Sequence, residues 1–144
     1  MMEVLIYVEG ASDRLAMNEL LKDLIVRQEQ RGITIRFVEA PPGDKKASVM
    51  RKVPVRAVNI LRNKSEVLVV AMPDLYPYNK ELPHESFPEL EACVMGEFKR
   101  ALSAKGITDA ASYLRRFRVF CFKHDLEALV LAAKEALELR LGTD

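Results

Sequence analysis

The stretch VLIYVEGASD, residues 4–13, contains the signal that decides the fold. Its first five residues are apolar or aromatic without interruption, which predicts a strand that is covered on both faces. An acid, Glu9, follows directly, and after it come Gly10 and the pair Ser12 and Asp13, which are typical of a helix start. We therefore expect a strand, a tight turn and a helix with Ser12 as its N-cap.

A second stretch, EVLVVAMPD at residues 66–74, repeats the pattern of an apolar strand that is closed by an acid. Here the acid is Asp74. An ionised carboxylate at a buried strand end is unfavourable unless it is paired, or unless its pKa shifts until the group is neutral. Two such strand ends in one chain indicate a metal site, a general base or a shared ion pair.

Four segments have the character of covered strands, and helical patterns separate them. The predicted strands are residues 4–8, 33–38, 67–72 and 118–122. The first helix is predicted at 12–30 from an apolar stripe that comprises Met17, Leu20, Leu21, Leu24 and Ile25. Further helices are predicted at 45–63 with a kink or break at Pro54, from Pro88 to Gly106, at 108–117 and at 125–141.

This alternation of strands and helices predicts one α/β domain, residues 1–144, with three α/β/α layers. The four-stranded sheet should be mainly parallel with the order 2-1-3-4. In such sheets ligand sites lie at the carboxyl ends of the strands, where the strand order reverses. Since strands one and three would be neighbours, Glu9 and Asp74 should lie side by side.

The fourth strand is followed by a third polar segment, KHDLEA at residues 123–128. Its His124, Asp125 and Glu127 would reach the same edge of the sheet as Glu9 and Asp74. A simpler interpretation is that Asp125 caps the last helix and that Glu127 complements the helix dipole. The proline-rich loop at 75–88 follows Asp74 directly and could fold over the site.

Composition excludes several classes of protein. The 144 residues are 49% hydrophobic, and 22 basic residues nearly balance 21 acidic ones. No apolar run is long enough to span a membrane, and the acidic Glu3 argues against a signal peptide, so we expect a soluble cytoplasmic protein. Cys93 and Cys121 lack the spacing of a metal or redox motif. The motifs of dinucleotide enzymes, P-loop NTPases, α/β-hydrolases and zincins are missing from the sequence.

A run of seven basic residues stands out in this nearly neutral chain. It comprises Lys45, Lys46, Arg51, Lys52, Arg56, Arg62 and Lys64. Clustered lysine and arginine supply most of the non-specific affinity for nucleic acid. The commoner explanation is a solvated helix face. The run lacks the interleaved aromatic residues that single-strand binding uses.

Three segments together resemble a known family: YVEGASD at 7–13, PDLYPY at 73–78 and KHDLEALVLA at 123–132. They are similar to the domain family DUF4276, whose members resemble TOPRIM-type domains, the metal-binding modules of topoisomerases, primases and OLD-family nucleases. In TOPRIM domains a glutamate after the first strand and the acids of a DxD motif after the third hold Mg²⁺. Glu9 matches that glutamate, and Asp74 matches the first acid of DxD.

The same resemblance assigns the remaining roles. Tyr76 stands where DxD has its second acid, which removes one expected ligand. The KHDLEA segment is similar to an HExEA stretch of the family, with Asp125 at the position of the usual glutamate and Glu127 retained. The resemblance thus implies Glu9, Asp74, Asp125 and Glu127 as ligands of Mg²⁺ or Mn²⁺, and it implies Glu9, Asp74 and Glu127 as catalytic residues. His124, Ser12 and Tyr76 would surround them.

Three hypotheses about function follow. The first is a Mg²⁺-dependent nuclease or another domain that acts on phosphodiesters, with nucleic acid as the partner. The second is a catalytically degenerate interaction module that binds an ATPase or another subunit, in which the acids pair with nearby Lys or Arg. The third is a site for a small phosphate compound at the N-terminus of the first helix, near Ser12.

Overall fold

The computed structural model describes residues 1–74 and 86–121, which form four strands and six α-helices. The strands are β1 (Met2–Val8), β2 (Ile33–Glu39), β3 (Val67–Ala71) and β4 (Phe117–Val119). The helices are α1 (Ala11–Leu20), α2 (Lys22–Glu29), α3 (Lys45–Ala47), α4 (Val53–Asn63), α5 (Phe87–Ala104) and α6 (Ala110–Arg115). A π-helical turn, Ser48–Lys52, joins α3 to α4.

All four strands are parallel and lie in the order β2-β1-β3-β4. The predicted fold class and strand order are therefore confirmed. Strand β1 is central, and it pairs with β3 from Glu3 opposite Val67 to Tyr7 opposite Ala71. This register brings the carboxyl ends of β1 and β3 to the same edge of the sheet.

Apolar residues alternate between the two faces of the sheet because side chains along a strand point to opposite sides. On one face, Leu5, Tyr7 and Val69 join the larger core with helices α4 and α5. On the other face, Val8 and Met72 pack with Met17 of α1 and Phe37 of β2. Both faces are thus covered by helices, as the three-layer prediction requires.

Helix α5, which the sequence predicted from Pro88 to Gly106, carries an apolar stripe. Leu90, Val94, Phe98, Ala101 and Leu102 are all buried. Phe98 stacks on Phe117 of β4 with 4.2 Å between the ring centroids, which fixes the helix over the outer half of the sheet. The helix begins one residue before Pro88, which occupies its first turn, and Ser86 is the N-cap.

The first helical region differs from the prediction of one helix at 12–30. It is divided at Leu21, whose φ of −105° and ψ of 14° lie outside the helical region. The N-cap is Gly10 in extended conformation and not Ser12, which lies in the first turn of α1. The apolar stripe is only partly buried as a result, and Leu20 is 58% exposed.

The second helical region spans 45–63 as predicted, and Pro54 determines its internal geometry. Proline has no N–H, so the hydrogen bond from residue 54 to the carbonyl four residues earlier cannot form. The chain adopts the π-helical turn Ser48–Lys52 just before this point, and Pro54 lies in the first turn of α4. The expected interruption is therefore a widened turn within a continuous helical segment.

The end of the described chain also differs in detail. Strand β4 covers Phe117–Val119, whereas the prediction was 118–122. The short helix predicted at 108–117 is Ala110–Arg115. The helix predicted at 125–141 lies outside the described residues. Within residues 1–74 and 86–121, no helix is long and apolar enough to cross a bilayer.

Arg116 links the end of α4 to the start of β4. Its guanidinium donates to the carbonyl oxygens of Lys64 at 2.8 Å, Leu61 at 3.2 Å and Ser65 at 3.3 Å. It also lies over the ring of Tyr113, with 5.5 Å to the centroid. These carbonyls lack intrahelical partners at the helix end, and a cation there complements the helix dipole.

We expect Arg116→Met to lower the free energy of unfolding by about 2 kcal/mol, because several charge-assisted hydrogen bonds are lost together. Arg115→Met is the matched control, since Arg115 is exposed on the same helix. Urea denaturation of both variants measures the effect. Equal stability of the two variants would show that Arg116 does not hold the end of α4.

Candidate functional site at the carboxyl edge of the sheet

The two acids that the sequence singled out meet at the carboxyl edge of the sheet. Beyond the last paired residues, the N–H of Met72 donates to the carbonyl of Tyr7 at 2.9 Å, so β1 and β3 stay together to their ends. The backbone N–H of Asp74 then donates to Oε1 of Glu9 at 3.0 Å. Glu9 is thereby held in place by the backbone of the neighbouring strand.

The surroundings of Glu9 raise its pKa from 4.5 to about 7. Burial is the main cause, because it removes water from the charged form. The hydrogen bond from the Asp74 N–H and the positive charge of Lys46 oppose the shift, while the negative charges of Asp74 and Asp13 add to it. Glu9 is thus a carboxylate that changes its charge near neutral pH.

Lys46 is a member of this site that sequence analysis had assigned only to the basic run. It is 7% exposed, which is unusual for a lysine, and it lies in the short helix α3 that follows β2. Burial lowers its pKa, while the negative charges of Glu9 and Asp74 oppose that shift. A buried ammonium therefore faces both acids and offsets part of their charge.

Gly10 and Asp13 shape the turn that follows Glu9. The carboxylate of Asp13 accepts a hydrogen bond from the N–H of Gly10 at 3.2 Å. A Cβ atom at residue 10 would lie 3.3 Å from Nζ of Lys45, so glycine permits the close approach of this second lysine. Glu9 and Asp13 place negative charge at the start of α1, while Lys45 and Lys46 place positive charge beside the same turn. The third hypothesis, a phosphate site near Ser12, therefore stays a prediction.

Cys121 lies at the same edge, after β4. Burial is the main cause of the raised pKa of its thiol, with Asp74 contributing in the same direction and Lys46 opposing it. Such a thiol stays protonated at neutral pH and is a poor nucleophile. Neither Cys121 nor Cys93 forms a disulfide bond, and both are partly buried.

The donor atoms at this edge suit a hard divalent cation. Mg²⁺ is usually held by one or two carboxylates, with water completing its octahedral shell. Glu9, Asp74 and Asp13 supply carboxylates that interact electrostatically at this edge, and the ammonium groups of Lys46, beside the acids, and of Lys45, near Gly10, offset part of their charge. Among residues 1–74 and 86–121, however, no group of three or more His, Cys, Asp or Glu side chains is placed to hold a metal ion.

The structure brings together only some of the residues predicted for the site. Glu9 and Asp74 are joined by a hydrogen bond, whereas Ser12 is exposed in the first turn of α1 and its role beside them stays a prediction. Tyr76, His124, Asp125 and Glu127 lie outside the described residues. Their roles as further ligands or neighbours stay predictions. Lys46 joins the group because helix α3 follows β2 at the same edge.

A concavity of about 550 Å³ lies at the opposite, amino edge of the sheet. Arg62, Asp109 and Tyr113 are among its lining residues, together with Arg116. The guanidinium of Arg116 is engaged by the carbonyls at the end of α4, as described above. We therefore interpret this concavity as part of the structural junction between α4 and α6.

Comparison with known proteins found no matching family model, no matching curated protein and no matching solved structure.

The raised pKa of Glu9 makes stability depend on pH with a defined sign. Between about pH 4.5 and 7 the unfolded chain has lost this proton while the folded chain retains it, so the free energy of unfolding falls as pH rises. Each pKa unit corresponds to about 1.4 kcal/mol, and solvent screening at this partly exposed side chain reduces the total to about 2 kcal/mol. Above about pH 7 the contribution is constant.

We expect Glu9→Gln to be more stable than the wild type at about pH 8, by roughly 2 kcal/mol, and equally stable below about pH 4.5. Glutamine keeps an oxygen that can accept the Asp74 N–H, so only the charge is removed. Urea denaturation at a series of pH values, with a chelator present, measures the difference between the two proteins. A difference that does not change with pH would contradict the assignment.

Proposed function

We propose that this chain is a divalent-cation-dependent domain that hydrolyses phosphodiesters at the carboxyl edge of its sheet. The observation that carries the proposal is the 3.0 Å hydrogen bond from the Asp74 N–H to Glu9, because it unites two acids from neighbouring strand ends. The electrostatic interaction of Glu9 with the carboxylates of Asp74 and Asp13 supports it. So does the position of the pair, since parallel sheets carry their sites at this edge.

Glu9 and Asp74 are the residues that would hold the cation, and Mg²⁺ or Mn²⁺ suits their oxygen atoms. A bound cation would neutralise charge on a phosphoryl oxygen and make water a stronger nucleophile. Asp125 and Glu127 are further candidate ligands from the sequence resemblance, and they would supply what Tyr76 does not.

The residues of the chain would divide the remaining work. Glu9 accepts a proton from the attacking water, whose oxygen bonds to phosphorus while the bond from phosphorus to the leaving oxygen breaks. That leaving oxygen takes a proton from solvent. Lys46 places a positive charge beside both acids and can attract the phosphate of the substrate.

The test is cleavage of supercoiled plasmid and of single-stranded DNA in the presence of Mg²⁺ or Mn²⁺. We expect Glu9→Gln and Asp74→Asn each to lower the rate by about 100-fold or more, since a ligand or proton acceptor is lost. Asp74→Asn keeps the backbone N–H that binds Glu9. Asp23→Asn, at an exposed acid of α2, is the matched control. Equal activity in the wild type and both site variants, or none in any protein, would refute hydrolysis.

A second candidate function is an interaction module that keeps the fold without the chemistry. The observation that favours it is Lys46, because a buried ammonium that interacts electrostatically with both acids can offset their charge without a metal. A partner subunit such as an ATPase would then use the domain as a docking unit. Cation binding separates the two candidates, since a ligand that binds only the folded state must raise its stability.

The variant Lys46→Met tests more directly whether the acids bind a divalent cation. The Lys46 ammonium and a divalent cation compete for the same two carboxylates, so its removal should strengthen cation binding. We expect the rise in melting temperature on adding Mg²⁺ to be larger in Lys46→Met than in the wild type, by roughly 2–5 °C. Lys45→Met is the control at the adjacent, exposed lysine. No Mg²⁺-dependent shift in any of the three proteins would favour the interaction module.

A further inference from the structure

The helical segment 45–63 differs in charge from the rest of the described surface. It contains six basic residues and no acidic one, in a chain whose formal net charge is only +1. Five of the six are exposed: Lys45, Arg51, Lys52, Arg56 and Arg62. The local positive charge is thus concentrated on one element and balanced elsewhere.

The longer helices α1, α2 and α5 mix the two signs. Helix α2 carries Lys22 and Arg27 together with Asp23 and Glu29. In contrast, among the residues that the structure describes, no carboxylate forms an ion pair with Lys45, Lys52, Arg56 or Arg62. Lys52 donates to the carbonyl of Pro42, and Arg56 lies over the ring of Tyr7. The charges of these four residues are therefore not neutralised by an ion pair with a described acid.

The segment begins at the candidate site. Its first residue, Lys45, comes within van der Waals distance of where a side chain at Gly10 would lie, and the second, Lys46, is buried beside Glu9 and Asp74. From there nineteen residues of helix extend over about 28 Å, which corresponds to roughly eight base pairs of a duplex. The basic side and the acidic site are continuous.

The exposed side of this segment has few apolar and no aromatic residues, and this distinguishes between a protein, a single strand and a duplex as its partner. Among the exposed large apolar residues of the described chain, Val55 is the one on this helical segment, so it lacks the apolar centre of a typical protein interface. It also lacks the exposed aromatic rings on which the bases of a single strand stack. Rows of lysine and arginine without either feature suit the phosphates of a duplex, which are contacted without reading the bases.

We propose that the exposed side of helical segment 45–63 binds the phosphate backbone of a nucleic-acid duplex and leads it to the carboxyl edge of the sheet. The second half of this statement rests on the proposed function, because it assumes that the edge acts on phosphodiesters. The first half, binding of the duplex by this surface, does not depend on the proposed function. Lys52, Arg56 and Arg62 are its central contacts.

The experiment measures binding of a fluorescent DNA duplex of about 20 base pairs by anisotropy, with a chelator present and Glu9→Gln as the background so that cleavage plays no part. In that background K52Q/R56Q/R62Q removes three charges from the basic side. The control K22Q/R27Q/R31Q removes three exposed charges from α2 and the turn after it. An RNA duplex and the single DNA strand are further probes, and thermal melting verifies that each variant is folded.

We expect the first triple variant to bind the DNA duplex at least about tenfold more weakly. The slope of log K against log salt concentration should fall by an amount that corresponds to nearly three phosphate contacts. The control should change the affinity by less than about twofold, and comparison with the RNA duplex tells which backbone is preferred. Equal weakening by both triples, tighter binding of the single strand, or no binding of any duplex would overturn the proposal. If the surface binds duplex while plasmid cleavage fails, the surface stands and only the hydrolytic function falls.

Discussion

The pairing of β1 with β3 is the interaction on which the site depends. Parallel strands in register from Glu3 to Tyr7 end at the same height, and the Met72 N–H continues the ladder beyond the last paired residue. Since each strand is followed within three residues by an acid, the ladder alone brings Glu9 to the backbone of Asp74. The helices on both faces then make the edge partly dry, and this loss of water gives Glu9 its raised pKa.

Lys46 determines the charge balance at this edge. Burial raises the pKa of Glu9 and lowers the pKa of Lys46, because it disfavours the charged form of each. The charge of each group opposes the pKa shift of the other. For Glu9 the effect of burial is larger than the attraction of Lys46, so the ionised carboxylate is a net cost, and Asp74 still faces the ammonium when the charge of Glu9 is removed. A divalent cation bound to Glu9 and Asp74 would offset their negative charge in place of the Lys46 ammonium. The two candidate functions therefore differ in one physical respect, namely which positive charge the acids bind.

Most of the fold could be predicted from the sequence because its signals are local and consistent. Continuous apolar runs gave three of the four strands to within two residues, and the stripe of α5 was buried as expected. The break at Leu21 could not be foreseen, since neither glycine nor proline marks it. The N-cap was assigned to Ser12 on its hydroxyl, whereas an extended Gly10, with Asp13 bound to its N–H, begins the helix.

The site was only half predictable, for a reason that Lys46 makes clear. An acid at the end of an apolar strand is conspicuous, so the adjacency of Glu9 and Asp74 could be predicted. A lysine within a run of seven basic residues is not conspicuous, because sequence alone does not tell which of two adjacent lysines faces inward. The structure shows which one it is. The chain turns from β2 into α3 so that Lys46 is buried with Ser48 and Val49, whereas Lys45 is exposed. The basic residues of this helical segment therefore lie in two different environments. One of them, Lys46, is buried beside the acids, and the others lie on the side that faces solvent.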